Sequence, residues 1–149
     1  MRRAALFALI AVLSAASLAL APPSSASTSQ AVTITSQIDL NTDPPTGTWT
    51  ATGAITDSGT LTESVPIFVG NGQLHIERVL TGQHGTITVR IQSTVTGVVD
   101  DTATFTGYWV VVSGTGAYAD LHGHGLRTAT VDLNTAIVTE TLTGDVHFD

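Results

Sequence analysis

Alternation of threonine with valine and other aliphatic residues is the feature that most constrains the fold of this chain. In Ala31–Leu40 the apolar residues Val32, Ile34, Ile38 and Leu40 share one parity, and similar alternation returns along the 149-residue chain between short breaks, many of which contain glycine. A period of two is typical of β-strands with one buried face. No segment beyond residue 26 shows the 3.6-residue apolar period of an amphipathic helix. The sequence therefore predicts an all-β fold without substantial helix.

Eight strands are expected, separated by breaks rich in residues that suit turns. They are Ala31–Leu40, Gly47–Thr56, Thr60–Val69, Gln73–Thr81, Thr86–Val99, Thr102–Ser113, Leu126–Leu133 and Ala136–Phe148. Short connections between successive strands favour an eight-stranded antiparallel up-and-down β-barrel of calycin-like type, which leaves no sheet edge exposed. A two-sheet sandwich is the alternative.

The first 26 residues have the pattern of a secretory signal peptide. Two arginines precede the apolar segment Leu6–Leu20, which is too short to predict a membrane span, and Ser24–Ala26 supplies small residues for cleavage. We expect cleavage near Ala26. Residues 27–149 are then predicted to form one secreted β-barrel domain without a membrane anchor.

The charge balance excludes several kinds of partner and chemistry. Beyond residue 26 there are three arginines, no lysine and twelve acidic residues, a net charge of −9. Nucleic acids and anionic membranes are bound chiefly through lysine and arginine, so neither is an expected partner. The absence of cysteine excludes cysteine catalysis and thiolate metal sites.

Four charged residues fall on the inward faces of the predicted strands. They are Glu63, Arg78, Arg127 and Glu140. A single charge in a dry core is too costly to keep, so these residues pair, line a solvated pocket or lie at the barrel rim. One interpretation makes them the polar end of a ligand cavity. The simpler interpretation, rim positions or a register shift from a β-bulge, is preferred because one inserted residue reverses the parity of a strand.

Three aromatic residues complete the candidate ligand site. Strand parity places Trp49, Phe105 and Trp109 inside the barrel, where they would line the cavity beside the four inward charges. The expected ligand is a small apolar or amphipathic molecule. No catalytic residue can be assigned, because neither a nucleophile elbow nor a phosphate loop is present.

No cofactor or metal is predicted. His122 and His124 share one face of an extended segment, and Asp120 is a conceivable third ligand. Zinc and copper sites need more converging ligands than this spacing supplies, and histidines in polar loops are usually solvated.

One predicted strand is apolar on both faces. Within Thr102–Ser113, the outward residues Tyr108, Val110 and Val112 alternate with inward residues that include Trp109. An outward apolar row needs cover. We expect another copy of the chain to supply it, with a packed loop or the N-terminal leader as the alternative.

The stretch Trp109–Gly125 carries a Gly-Thr-Gly turn, an aromatic residue and a further glycine. The residues are Gly114, Thr115, Gly116, Tyr118 and Gly123. Here the chain resembles the allene oxide cyclase and dirigent barrel superfamily, and Gly47–Thr60 resembles a segment of small secreted actinobacterial proteins of the same barrel type. The resemblance implies an eight-stranded barrel with an apolar cavity, often assembled as a trimer. The catalytic groups of those enzymes align with no residue of this chain.

Three functions follow as alternatives. The preferred one is a secreted barrel that binds a small molecule without turning it over. The second is a cyclase or isomerase that holds a reactive intermediate in one conformation while an inward carboxylate provides acid–base help. The third is a structural or surface-interaction protein with a filled core.

Overall fold

A computed structural model describes residues 27–64 and 66–149; the predicted signal peptide lies outside the described residues. They form nine β-strands and one short 3₁₀ turn, Gly116–Tyr118. The strands are β1 (Gln30–Asp39), β2 (Thr46–Gly53), β3 (Asp57–Glu63), β4 (Ile67–Val69), β5 (Gln73–Gly82), β6 (Thr86–Val99), β7 (Thr102–Gly114), β8 (Leu121–Asp132) and β9 (Ile137–Phe148). None of the described residues belongs to a helix that could cross a lipid bilayer.

Eight of the strands close into an antiparallel barrel in which almost every strand pairs with its neighbours in sequence. The exceptions close the sheet: β9 pairs with β1, and β3 pairs with β5. β4 stays outside the barrel and pairs only with the first residues of β5. The predicted up-and-down barrel is confirmed, and the sandwich alternative is wrong.

The third predicted strand, Thr60–Val69, is divided in the structure. β3 ends at Glu63 and β4 begins at Ile67. Pro66 lies between them, and proline lacks the backbone N–H that a central strand needs to continue its ladder. The split places β4 outside the barrel, beside one of its ends.

The seventh predicted strand begins five residues too late. β8 starts at Leu121 because the glycines that suggest a turn here allow close packing instead. A Cβ on Gly123 would lie 2.5 Å from Cγ1 of Val146, and a Cβ on Gly125 would lie 2.0 Å from the carbonyl oxygen of Thr143. These glycines let β8 and β9 meet where larger side chains would separate them.

The two ends of the barrel differ. At the open end, β1 runs into β2, β6 into β7 and β8 into β9, and β4 lies beside the opening. At the closed end, the 3₁₀ turn folds Tyr118 into the barrel, where only 4% of it remains exposed. Between the ends, buried residues from all eight barrel strands form one hydrophobic core, which includes Trp49 and Trp109.

The Gly-Thr-Gly turn closes the barrel through its backbone. The N–H of Ala117 donates to the carbonyl oxygen of His84 at 2.9 Å. Oγ1 of Thr115 accepts from the N–H of Thr86 at 3.0 Å. Gly116 adopts a φ of 61°, which side-chain-bearing residues rarely adopt. The structure thus gives Thr115 and Gly116 of this motif a role in closing the barrel.

We expect Gly116→Ala to destabilise the barrel more than Gly72→Ala. Both glycines have positive φ, 61° and 72°, which costs other residues about 1–2 kcal/mol. A Cβ on Gly116 would also lie 2.4 Å from the carbonyl oxygen of His84, whereas nothing lies within 4 Å of a Cβ on Gly72. Urea denaturation of the two variants measures the difference. Equal losses of unfolding free energy would show that the turn accommodates the added Cβ without cost.

Candidate ligand-binding site

All four inward charges are buried in the barrel. The exposed fractions are 3% for Glu63, 0% for Arg78, 3% for Arg127 and 1% for Glu140. The interpretation preferred on parity, that these residues lie at the rim or are displaced by a bulge, is wrong. The pairings of β3 with β5 and of β8 with β9 run without a register shift, so the alternation stays intact through these residues. We call the four residues the charge cluster.

Arg78 lies between the two carboxylates of the charge cluster. Its Nε donates to Oε2 of Glu63 at 3.1 Å, and its Nη2 donates to the same oxygen. Its Nη1 donates to Oε1 of Glu140. Burial disfavours the charged guanidinium, but the attraction of Glu140 and then of Glu63 outweighs burial and raises the pKa of Arg78. Arg78 therefore stays charged in the core.

Glu140 is the acceptor that joins the cluster together. In addition to Arg78, it accepts from Nε of Arg127 and from Oγ of Ser36, the latter at 3.3 Å. Nη1 of Arg127 donates in turn to Oγ of Ser93 at 2.7 Å. Burial alone would raise the pKa of Glu140, but Arg78 and Arg127 together lower it. Glu140 is thus held ionised.

The charge cluster is electrically balanced, since its two carboxylates face two guanidinium groups. Balance and hydrogen bonding are the conditions under which buried charges are tolerated. Two serines complete this layer, and sequence reasoning did not identify them. Ser36 lies between the inward residues Ile34 and Ile38, and Ser93 occupies the next inward position after Ile91. A polar residue at an inward position was therefore the available signal.

A cavity of about 140 Å³ lies between the charge cluster and the open end. Its walls are largely apolar and include Phe68, Leu74, Phe105, Val131, Leu133 and Val138. Glu63, Arg78 and Arg127 form its floor. The structure thus joins three of the four predicted polar residues to an apolar space that is continuous with one barrel opening.

Two floor atoms have no hydrogen-bond partner among the described residues. They are Oε1 of Glu63 and Nη2 of Arg127. The other carboxylate oxygen of Glu63 accepts from Arg78, and the other two guanidinium nitrogens of Arg127 donate to Glu140 and Ser93. In the described part of the chain, every fully buried side-chain nitrogen and oxygen has a partner. Neither atom is therefore fully buried, and both residues line the cavity. The guanidinium carbon of Arg127 lies 6.0 Å from the ring centroid of Phe105, which places it against a cavity wall.

Of the three aromatic residues assigned to the cavity, Phe105 lines it and the two tryptophans do not. Trp49 and Trp109 are 2% exposed and fill the core. Their indole N–H groups donate to the carbonyl oxygens of Thr81 and Thr143, each at 3.2 Å. Parity predicts that a side chain points inward, but it does not say at which depth of the barrel the side chain lies.

A second buried polar site lies at the closed end, around Asp57. Its Oδ1 accepts from the N–H groups of Ser58 at 2.8 Å and Gln83 at 3.1 Å. Its Oδ2 accepts from the N–H of His84 at 3.3 Å and from the hydroxyl of Tyr118 at 2.7 Å. Its partners are donors from the start of β3 and from the two connections β5–β6 and β7–β8, so this carboxylate stabilises the closed end.

The histidines that suggested a metal site lie on the outer surface. His122 stacks on His147 with ring centroids 5.3 Å apart, and its Nε2 lies 2.9 Å from Oδ2 of Asp149. Across residues 27–64 and 66–149, no group of three histidine or acidic side chains is placed to hold a metal ion.

Comparisons with known proteins leave this site to be interpreted from its own geometry. No family model matches the chain, and no curated protein or solved structure matches it either. The allene oxide cyclase and dirigent resemblance accordingly stays a prediction.

Proposed function

We propose that this protein is a barrel that binds a small amphipathic molecule without turning it over. The cavity at the open end carries the proposal, because it combines apolar walls with a charged floor. Pockets for small ligands typically have this composition, in which a few converging polar groups fix the orientation. A volume of about 140 Å³ is close to that of engineered apolar cavities that bind benzene, roughly 150 Å³.

The hydrogen bonds of the charge cluster favour binding over acid–base catalysis. Arg78 and Arg127 keep Glu140 ionised, whereas a general acid at neutral pH needs a carboxyl group with a raised pKa. Arg78 is held charged as well. Groups locked in ion pairs orient a ligand but transfer protons poorly. These observations count against Glu140 as a general acid, which supports the binding function over a cyclase or isomerase that would need one at this position.

The cavity also favours a binding function over a purely structural role. Trp49 and Trp109 fill the half of the barrel toward the closed end, as a structural barrel would require. The half toward the open end keeps a space with polar atoms that lack protein partners in the described chain. A barrel with a purely structural role would fill this half with side chains as well.

Filling the cavity is expected to abolish ligand binding. Val131 lines the cavity, so Val131→Phe should occupy the space, whereas Thr130→Phe adds the same ring to the outer surface one residue away. Methyl NMR titration with small amphipathic probes of about ten non-hydrogen atoms or fewer should give saturable shifts at Leu74, Val131 and Val138 in the unmodified protein. The Thr130 variant should respond in the same way at Leu74 and Val138, and the Val131 variant should not. An unresponsive wild type, or a responsive Val131 variant, would refute the proposal.

We propose further that the protein acts outside the cell as a homo-oligomer, with a trimer as the expected form. The outward residues of β7 and their neighbour on β8 form an apolar patch. Their exposed fractions are 68% for Tyr108, 43% for Val110, 44% for Val112 and 56% for Leu126. Tyr108 and Leu126 are direct partners across the two strands, so the patch is continuous. Adjacent exposed apolar side chains of this size are typical of protein interaction surfaces.

Val110→Asp is therefore expected to convert the oligomer to monomers, because a carboxylate placed in the apolar patch would lose its hydration in the interface. Thr104→Asp, on the outward face of the same strand but away from the patch, is the matched control. Size-exclusion chromatography with light scattering gives the mass of each variant. An oligomer that persists in the Val110 variant would reject this surface as the interface.

A further inference from the structure

We infer that the ligand is electrically neutral and carries one hydrogen-bond donor and one acceptor on an apolar body about the size of one aromatic ring. A primary carboxamide on such a ring is the simplest molecule of this class. This inference rests on the proposed binding function and identifies the chemical class of the molecule that the cavity takes.

The floor of the cavity presents complementary atoms. Oε1 of Glu63 can accept a hydrogen bond, and Nη2 of Arg127 can donate one; neither has a partner among the described residues. A ligand head that both donates and accepts offers a partner to each kind of atom. A head that only accepts leaves the buried carboxylate oxygen without a donor, and an unmade bond to a charged group is more costly than one between neutral groups.

The balance of the charge cluster disfavours a charged ligand head. Arg78 is already shared by Glu63 and Glu140, and Arg127 is bound to Glu140. An ionised ligand would therefore add an uncompensated charge to a site whose own side chains are at least 96% shielded from solvent. A neutral head keeps the cluster balanced.

The rim of the open end adds a second reason against anions. Five aspartates lie on the strand ends and connections there: Asp39, Asp43, Asp100, Asp101 and Asp132. The connections at this end contain no lysine or arginine among their described residues. Backbone amides of Thr135 and Asn134 lower the pKa of Asp132 and keep it charged. A rim of one sign repels ligands of the same sign as they approach.

Four probes that share one ring test this inference on the intact protein at neutral pH. Benzamide has the predicted head; benzoate is anionic, protonated benzylamine is cationic, and toluene lacks a polar head. Each is titrated while the methyl signals of Leu74 and Val138 are followed by NMR. Benzamide is expected to bind about tenfold or more tightly than each of the others, the scale of one unmade hydrogen bond to a buried charge.

The outcomes separate this inference from the function on which it rests. Benzoate or benzylamine binding as tightly as benzamide would overturn neutrality, and the cavity would remain a binding site. Toluene binding as tightly would show that the polar floor is not recognised. If no probe binds, or if Val131→Phe leaves benzamide binding unchanged, both the inference and the proposed function fail.

Discussion

Glu140→Ala is expected to destabilise the barrel by about 3–5 kcal/mol, the range seen when one partner of a buried ion pair is removed. The substitution takes away the carboxylate that joins Arg78 to Arg127 and leaves both guanidinium groups in a core that is almost fully shielded. Ser36 loses its acceptor in the same step. Since small proteins are stable by only about 5–15 kcal/mol, a loss of this size is a large fraction of the total. Chemical denaturation monitored by tryptophan fluorescence gives the free energy of unfolding.

The exposed ion pair between Glu77 and Arg90 provides a matched control. Oε2 of Glu77 lies 3.6 Å from Nη2 of Arg90, and both side chains are about half exposed, 51% and 54%. Glu77→Ala is expected to cost less than about 1 kcal/mol, as surface pairs do. Glu140→Gln keeps an acceptor for one arginine, so its loss of unfolding free energy should fall between those of Glu77→Ala and Glu140→Ala. It replaces Glu140→Ala in the comparison if the alanine variant does not fold. Similar losses for Glu77→Ala and Glu140→Ala would show that burial does not set the strength of the cluster.

Asp57→Asn is expected to cost about 3 kcal/mol at neutral pH, because hydrogen bonds to a charged group contribute about 1.5–3 kcal/mol each. The substitution neutralises the acceptor of the closed end and turns an amide N–H toward groups that are themselves donors. Tyr118→Phe removes only one of the four donors and should cost roughly half as much. Urea denaturation of both variants at neutral pH measures these losses.

The loss of unfolding free energy caused by Asp57→Asn should become smaller as the pH falls into the acidic range. Burial alone would raise the pKa of Asp57, but the hydroxyl of Tyr118 and the backbone amides of Gln83, Ser58 and His84 lower it well below its ordinary value. In the unfolded chain the pKa is about 3.9. Because its pKa is lower in the folded protein, the Asp57 carboxylate contributes its full stabilisation at pH values above the pKa of the unfolded chain. This stabilisation is lost as the pH falls toward the pKa of the folded protein. The difference between wild type and variant should therefore be constant above about pH 5 and shrink below about pH 4. A difference at pH 3 equal to that at pH 7 would contradict this account.

The barrel could be predicted because strand alternation is a local property of the sequence. Threonines recur on the outward faces of β1 and β9, and most of the residues between them are apolar and mark the core. The strand ends were harder to predict. Pro66 divides one predicted strand because it lacks an N–H, and the glycines of β8 extend another because close packing replaces the turn that they suggest.

Parity identified the charged residues of the site but not their connections. Glu63 and Arg78 are direct partners across β3 and β5, a pairing that depends on closure of the barrel around β4. The bonds from Arg78 and Arg127 to Glu140 cross the interior, and no sequence pattern reports a contact of that kind. The positions of Trp49 and Trp109 depend on depth along the barrel axis, which parity does not describe. The local pattern therefore predicts the inward-facing residues, and the three-dimensional closure determines which of them meet.

The charge cluster divides the interior of the barrel into two compartments with different tasks. On one side the tryptophans and the Asp57 network hold the closed end together, and on the other side the cavity opens to solvent. Side chains of the cavity wall, such as Val131 and Leu133, lie on the other side of the charge cluster from the hydrogen bonds of the tryptophans and of Asp57. Changes to that wall can therefore alter ligand preference while the folding core is retained, an arrangement in which new specificities evolve on an unchanged scaffold.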